Sequence, residues 1–192
     1  GNVENRAAEG ITGERVVRTG NAIVEAVLRL LPPPAARAEL CLRYGVRRGE
    51  FVLSTFHRPE NVDDPYRYRI ILEQLAALPV PVILPLHPRS VRRAAEHGLG
   101  DHLDRLIVVE PIGYRDFLGL EAEAALIISD SGGVQEECSI VKRPLIVARR
   151  STELPEVIGT FARRVLPGPE IGEQAGLVLA AGEGRRPGLS RG

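Results

Sequence analysis

The chain has no methionine and no tryptophan, only two cysteines, and an aromatic share of 4% in 192 residues. Its positive charge is almost wholly arginine, with Lys142 the single lysine, a bias read as codon usage rather than chemistry. Lys+Arg and Asp+Glu both number 25, so there is no basic field to attract nucleic acid and no acidic tail. Cys41 and Cys138 lack metal-ligand spacing and read as two buried thiols in a reducing cytosol. No apolar run approaches the ~18 residues of a membrane span, and no signal peptide opens the chain. A cytoplasmic protein that meets neither membrane nor nucleic acid is expected. The chain also lacks G-x-G-x-x-G, P-loop, H-E-x-x-H and G-x-S-x-G sequences. Their absence argues against dinucleotide oxidoreduction, P-loop phosphoryl transfer, zinc proteolysis and α/β-hydrolase chemistry. No cofactor and no metal is implied.

What is present is a core-forming composition, 44% hydrophobic with a mean hydropathy of −0.04. Short apolar runs alternate with helical periods. Strands are predicted at Phe51–Ser54, Val80–Leu86, Leu106–Val109, Ala125–Ser129, Pro144–Ala148 and Phe161–Leu166, with Val16-Val17 leading into the first helix. Helices are predicted at Ala22–Leu31, Pro34–Tyr44, Pro65–Leu78, Ser90–His97, Tyr114–Glu123, Gly133–Val141, Leu154–Ile158 and Glu170–Ala181. Asp64-Pro65 reads as an N-cap followed by proline at the first helical position. Strands alternating with helices, apolar on both faces, predict an α/β fold with a doubly wound parallel sheet. One domain over 1–181 and a loose Gly/Arg-rich tail over 182–192 are expected. A chain that opens on Gly1 without methionine reads as well as a piece of a longer protein as one that has lost its initiator.

Such sheets bind ligands beyond the carboxyl ends of their strands, so chemistry is sought in the loops there. Ser129-Asp130-Ser131-Gly132-Gly133 joins a strand to a helix. Small residues allow close backbone approach, and the helix start offers unpaired N–H groups to a diphosphate; an ordinary capped turn would read the same. Glu137, four residues beyond Gly133, shares its face and suits bidentate acceptance from two ribose hydroxyls, whereas Glu136 reads as solvated. His57-Arg58-Pro59-Glu60-Asn61 follows the first strand, and a nearby anion would favour the charged form of His57. The His87 loop follows the second strand.

These segments, together with Thr19-Gly20-Asn21, Thr152-Glu153-Leu154-Pro155-Glu156 and Gly159-Thr160, resemble the non-hydrolysing UDP-N-acetylglucosamine 2-epimerases. The likeness runs in order over about the first 165 residues. It implies a GT-B-type enzyme of two Rossmann-like domains, of which this chain is the C-terminal, UDP-binding one. By the resemblance Ser131, Gly132 and Gly133 hold the diphosphate and Glu137 the ribose. Phe117 and the Ile112 backbone bound the uracil, and His57 is the catalytic group beside the pyrophosphate. Arg58 and His87 would touch a second, activating UDP-sugar. The family eliminates UDP across C1–C2 and adds it back with C2 inverted, using carboxylates of an N-terminal domain absent here. This chain alone is therefore expected to bind UDP-sugar without turnover, and the intact enzyme to be a homodimer.

Leu154 stands where the family commonly carries arginine, and the lost charge implies weaker diphosphate binding, compensation by Arg149 or Arg150, or a changed substrate. A GT-B glycosyltransferase and a non-catalytic UDP-binding module remain alternatives, as does a hydrolysing outcome of the epimerase chemistry.

Overall fold

The computed structural model describes residues 21–150 and 158–182. Strands β1 (Val52–Thr55), β2 (Val82–Pro85), β3 (Ile107–Val109), β4 (Leu126–Ser129), β5 (Leu145–Ala148) and β6 (Ala162–Val165) form one sheet. Every pairing is parallel, in the order β3-β2-β1-β4-β5-β6. Around it lie α1 (Ala22–Leu30), α2 (Pro34–Arg43), α3 (Pro59–Val62), α4 (Pro65–Ala76), α5 (Pro88–Glu96), α6 (Gly100–Leu103), α7 (Tyr114–Glu121), α8 (Gly132–Val141) and α9 (Glu170–Ala181).

The near-continuous apolar strands follow from burial on both faces. Successive side chains leave a strand on opposite sides. Thus Leu53, Ile127, Leu145 and Val147 pack with Leu40, Leu120 and Cys138 of α2, α7 and α8. Their neighbours Val52, Leu126, Ile128 and Ile146 pack with Ile71, Leu72, Ile171 and Ala175 of α4 and α9. Each such leucine or isoleucine, wholly buried, contributes about 1.5–3 kcal/mol of transfer free energy. Cys41 and Cys138 are buried free thiols within the first of these layers.

Helix starts follow local chemistry. The Asp64 carboxylate accepts from Tyr66 N at 3.0 Å and Arg67 N at 3.2 Å, with Pro65 at the first position of α4. Helix α9 ends where Gly182 turns left-handed at φ 67°.

Within the described residues the other predicted strands and helices are present, with instructive differences, whereas the helix predicted at Leu154–Ile158 falls almost wholly outside them. The segment His57–Asn61, read as a loop, runs into the one-turn helix α3 at Pro59, and α6 was not anticipated; four residues carry too little periodicity to register. Helix α5 begins at Pro88 rather than Ser90, because proline's fixed φ suits a first turn. Val16-Val17, Thr19-Gly20, the Thr152–Glu156 run with Leu154 and the tail beyond Gly182 lie outside the described residues. Of the predicted helix Leu154–Ile158 only Ile158 is described, and it forms an isolated β-bridge with Ala162 rather than a helical turn.

The strand order fixes where a ligand can sit. The chain leaves β1 for β2 and β3 on one side, then crosses back through α7 to β4 on the other. A crevice opens at such a reversal, beyond the carboxyl ends of β1 and β4.

Candidate functional site at the strand-order reversal

Hydroxyls lock the two strands together before the crevice begins. Ser54 Oγ donates to Ile128 O at 3.1 Å, and Thr55 Oγ1 and Ser129 Oγ share a hydrogen bond of 2.8 Å. Ser129 Oγ also accepts from Ser131 N at 3.0 Å, setting the start of the turn into α8.

Asp130, the first residue after β4, is wholly buried and gathers the His57 loop around its carboxylate. Oδ2 accepts from Arg58 N at 3.0 Å and from Asn61 Nδ2 at 2.9 Å, while His57 N lies 3.3 Å from both oxygens. His57 Nδ1 sits 2.9 Å from Oδ1, and Arg58 Nε donates to the Asp130 carbonyl at 2.9 Å. Burial works against the Asp130 charge. The bonds from His57, Asn61 and the Arg58 N–H outweigh it, and hold the carboxyl below the usual range. The same bond to Asp130 is the main reason His57 is held above the ordinary histidine range, against burial. With Nδ1 on Asp130, the Nε2–H of a charged imidazolium is left for the crevice. The anion that sustains this charge is thus Asp130 within the chain itself, where the sequence had suggested only a ligand.

The mouth of α8 is open. Ser131 occupies its N-cap position, yet no side chain caps the helix there. By helix geometry the first N–H groups have no carbonyl within their own helix. A Cβ added at exposed Gly133 would meet nothing nearer than Ser131 Oγ at 3.9 Å, and its φ is not positive. Neither packing nor backbone conformation therefore calls for glycine at this position. Its small size keeps clear the space in front of the helix. Gln135 Nε2, one turn on, donates to Ser131 O at 3.3 Å and steadies the turn.

Glu137 lies along the same face of α8, largely buried and hydrogen-bonded by Tyr114 at the start of α7. Burial raises its carboxyl above the usual range, partly opposed by that bond. The Tyr114 hydroxyl is in turn pushed well above its usual range, first by burial and then by the Glu137 charge. Ile112 and Phe117 flank Tyr114 in sequence and pack, half-buried, on the layer under α7 and α8. Glu136 points elsewhere: its Oε2 accepts from Asn21 Nδ2 at 2.7 Å and ties α1 to α8.

His87 stands apart from this cluster. It is exposed and serves α5 as N-cap, its Nδ1 accepting from Arg89 N at 3.2 Å. The contact from α5 to the His57 segment runs through Asp63, 3.6 Å from Arg89 and 3.7 Å from Arg93. Arg58, Asn61, Arg67, Arg149 and Arg150 line a pocket of about 330 Å³ beside the crevice. Arg149 is buried, and its charge acts on His57. Among the described residues no group of three His, Cys, Asp or Glu is placed to hold a metal ion, and no helix is long and apolar enough to cross a membrane.

The structure therefore brings His57, Arg58, Ser131, Gly132 and Gly133 to one crevice, with Glu137, Ile112 and Phe117 along its α7–α8 flank. Sequence reasoning gave no role to Asp130, Asn61 or Tyr114. An aspartate directly ending an all-apolar strand of a parallel sheet was the available signal for the first. The other two acquire partners only in the fold.

Residues 2–171 match the family described as UDP-N-acetylglucosamine 2-epimerase. UDP-N-acetylglucosamine 2-epimerase of Methanocaldococcus jannaschii is 37% identical over 163 residues, covering 80% of this chain and 44% of that protein. UDP-2,3-diacetamido-2,3-dideoxy-D-glucuronate 2-epimerase of Pseudomonas aeruginosa is 34% identical over 171 residues, covering 86% and 46%. The solved Methanocaldococcus jannaschii enzyme in complex with UDP-GlcNAc and UDP superposes with a TM-score of 0.76 at 33% identity, over 92% of this chain and 51% of that one. The Escherichia coli ADP-heptose LPS heptosyltransferase II, at 12% identity and a TM-score of 0.56, shares the fold alone. The chain spans about half the length of the curated relatives it matches, and corresponds to their C-terminal half. Its doubly wound sheet is the Rossmann-like C-terminal domain of a GT-B-type architecture, and the chain belongs to the UDP-N-acetylglucosamine 2-epimerase family.

Proposed function

We propose that this chain is the UDP-binding half of an enzyme that interconverts UDP-N-acetylglucosamine and UDP-N-acetylmannosamine by eliminating UDP and adding it back. The observation that carries the reading is the uncapped start of α8, with a glycine at position 133 that the fold itself does not require. The Ser131 hydroxyl and the backbone N–H groups of Gly132 and Gly133 receive the diphosphate, helped by the positive end of the helix, with each such interaction contributing roughly 0.3–2 kcal/mol. Glu137 accepts both ribose hydroxyls, while Ile112 and Phe117 border the uracil. The His57 imidazolium, oriented by Asp130, faces the departing UDP and offsets the charge that grows as the C1–O bond breaks. Buried Arg149 adds a second positive charge beside it.

Residues 1–181 form one domain in this reading, followed by a tail over 182–192. The proton-transferring carboxylates lie in an N-terminal domain that completes the cleft. The intact enzyme is a cytoplasmic homodimer that needs neither cofactor nor metal, and Arg58 and His87 contact a second, activating UDP-sugar.

Calorimetric titration of the chain tests the nucleotide half of the proposal. UDP and UDP-N-acetylglucosamine are expected to bind and NAD not to. Glu137→Gln should weaken UDP about tenfold, roughly 1.4 kcal/mol, and leave inorganic pyrophosphate unchanged. Parallel loss of both ligands would remove the ribose role from Glu137. Epimerase turnover by this polypeptide alone would refute the assignment of proton transfer to another domain.

A further inference from the structure

Asn61 sits behind the crevice in α3, where its backbone N donates to Arg58 O at 2.9 Å and folds the loop back over Asp130. It is buried to 1% exposure, and its Nδ2 donates to Asp130 Oδ2 at 2.9 Å. Its own Oδ1 is buried with no hydrogen-bond partner among the described residues. Turning the amide round brings no relief, because an ionised carboxylate only accepts and so needs the NH₂ end. A buried acceptor left unpaired costs stability, and an apolar side chain of the same shape avoids that cost. Stability alone therefore does not account for an asparagine here; its one side-chain bond, to Asp130, does.

That bond sorts the two oxygens of Asp130. Oδ2 takes Asn61 Nδ2 at 2.9 Å and Arg58 N at 3.0 Å. Oδ1 takes His57 Nδ1 at 2.9 Å, while His57 N lies 3.3 Å from both oxygens. The outer torsion of an aspartate is broad and roughly two-fold, so a backbone N–H shared between the oxygens does not fix the carboxylate plane. The Asn61 amide, held within α3, adds the donor that does. With the plane fixed, Oδ1 meets the imidazole at Nδ1, which keeps a proton in both charge states of the ring and leaves Nε2 to the crevice. Beyond Asp130, burial and the charges of Arg58 and Arg149 all work against protonation of His57.

We propose that Asn61 is a positioning residue for His57: by holding Oδ2 of Asp130 it reserves Oδ1 for the imidazole Nδ1, and so aims Nε2 at the departing UDP. The inference rests on the role given to His57 beside the diphosphate, and extends it to a residue that touches no ligand.

Nitrogen NMR of the folded, ligand-free chain labelled with ¹⁵N-histidine reads the arrangement directly. Above the folded His57 value, the neutral ring of the native chain should carry its proton on Nδ1, the reverse of the preference of a free imidazole side chain. Asn61→Leu keeps much of the volume and removes the amide, and should spread that proton over both nitrogens; Asn61→Ala should do the same. While His57 is charged, Asn61→Leu should bind UDP and pyrophosphate more weakly by one common factor, about threefold. That factor should vanish as pH rises and the ring turns neutral in both chains. A merely structural asparagine would move the urea midpoint and leave the tautomer alone. A native ring protonated at Nε2, or a proton that stays on Nδ1 in both variants, would overturn the proposal. A loss confined to UDP, with pyrophosphate untouched, would do the same, because it would lie on the ribose side. If the tautomers mix as stated while neither ligand loses affinity, the role of His57 beside the diphosphate fails and its positioning by Asn61 stands.

Discussion

Two helices in this domain begin directly after β2 and β4, the strands on either side of β1, and they begin in opposite ways. Helix α5 closes its own start: His87 caps it, and its Arg89 and Arg93 lie 3.6 and 3.7 Å from Asp63. Helix α8 leaves its start open, and the aspartate behind it, Asp130, is wholly buried with five donors from one loop at 2.9–3.3 Å. A terminus that satisfies itself has little to offer a ligand. One that is held rigidly from behind and left bare in front is suited to receive one.

The contrast can be broken by substitution. The largest effect is expected at Asp130. Asp130→Asn leaves a cluster of donors facing an amide and should cost about 3 kcal/mol of unfolding free energy in urea, whereas Asp63→Asn, facing screened surface partners, should cost less than about 1 kcal/mol. Equal costs would mean that the two junctions are built alike. The Asp130 contribution also has a pH signature. Because the Asp130 carboxyl is lowered, its share of stability is present above the ordinary aspartate value of 3.8 and is lost as pH falls through the folded value. Because His57 is raised, its share is present below the ordinary histidine value of 6.5 and is lost as pH rises through the folded value. Both shares are complete only between those limits, so the gap between native and Asp130→Asn should be widest there.

The next effect in size is at the open mouth. Gly133→Asp puts a carboxylate into the first turn of α8, which favours the helix by roughly 0.3–1 kcal/mol and repels a diphosphate. Stability should hold or rise while UDP affinity falls about 100-fold, roughly 2.7 kcal/mol. Unchanged UDP affinity would sink the diphosphate assignment. A smaller effect belongs to the closed mouth: His87→Ala should cost about 1 kcal/mol of stability through the lost cap and leave UDP binding as it was. Smallest of all, Ser131→Ala should change stability by less than about 0.5 kcal/mol, because the Ser131 side chain caps nothing. A loss as large as that at His87 would show that α8 is capped after all.

Much of this was legible in the chain, and for a physical reason. A parallel sheet covered on both faces writes itself as apolar runs such as Leu126-Ile127-Ile128, and Asp64-Pro65 announces a helix start locally. Strand order is not written locally, so the crevice emerged only when β1 was seen between β2 and β4. Ser131, Gly132 and Gly133 could be picked out because their function depends on small size, a property of the residue itself. Asp130, Asn61 and Tyr114 could not, because each is defined by partners brought from elsewhere in the chain.

The bond between His57 N and Asp130 spans 73 positions of sequence. Contacts that distant form after the local helices during folding, because loop closure must come first. The pocket therefore exists only in the completed fold, and nucleotide should bind the folded domain and not the unfolded chain. Saturating UDP would then act as a thermodynamic latch, raising the melting temperature in proportion to the logarithm of its concentration. Circular dichroism of the helices and ligand-induced protection would part company along the folding path, with the second arriving last.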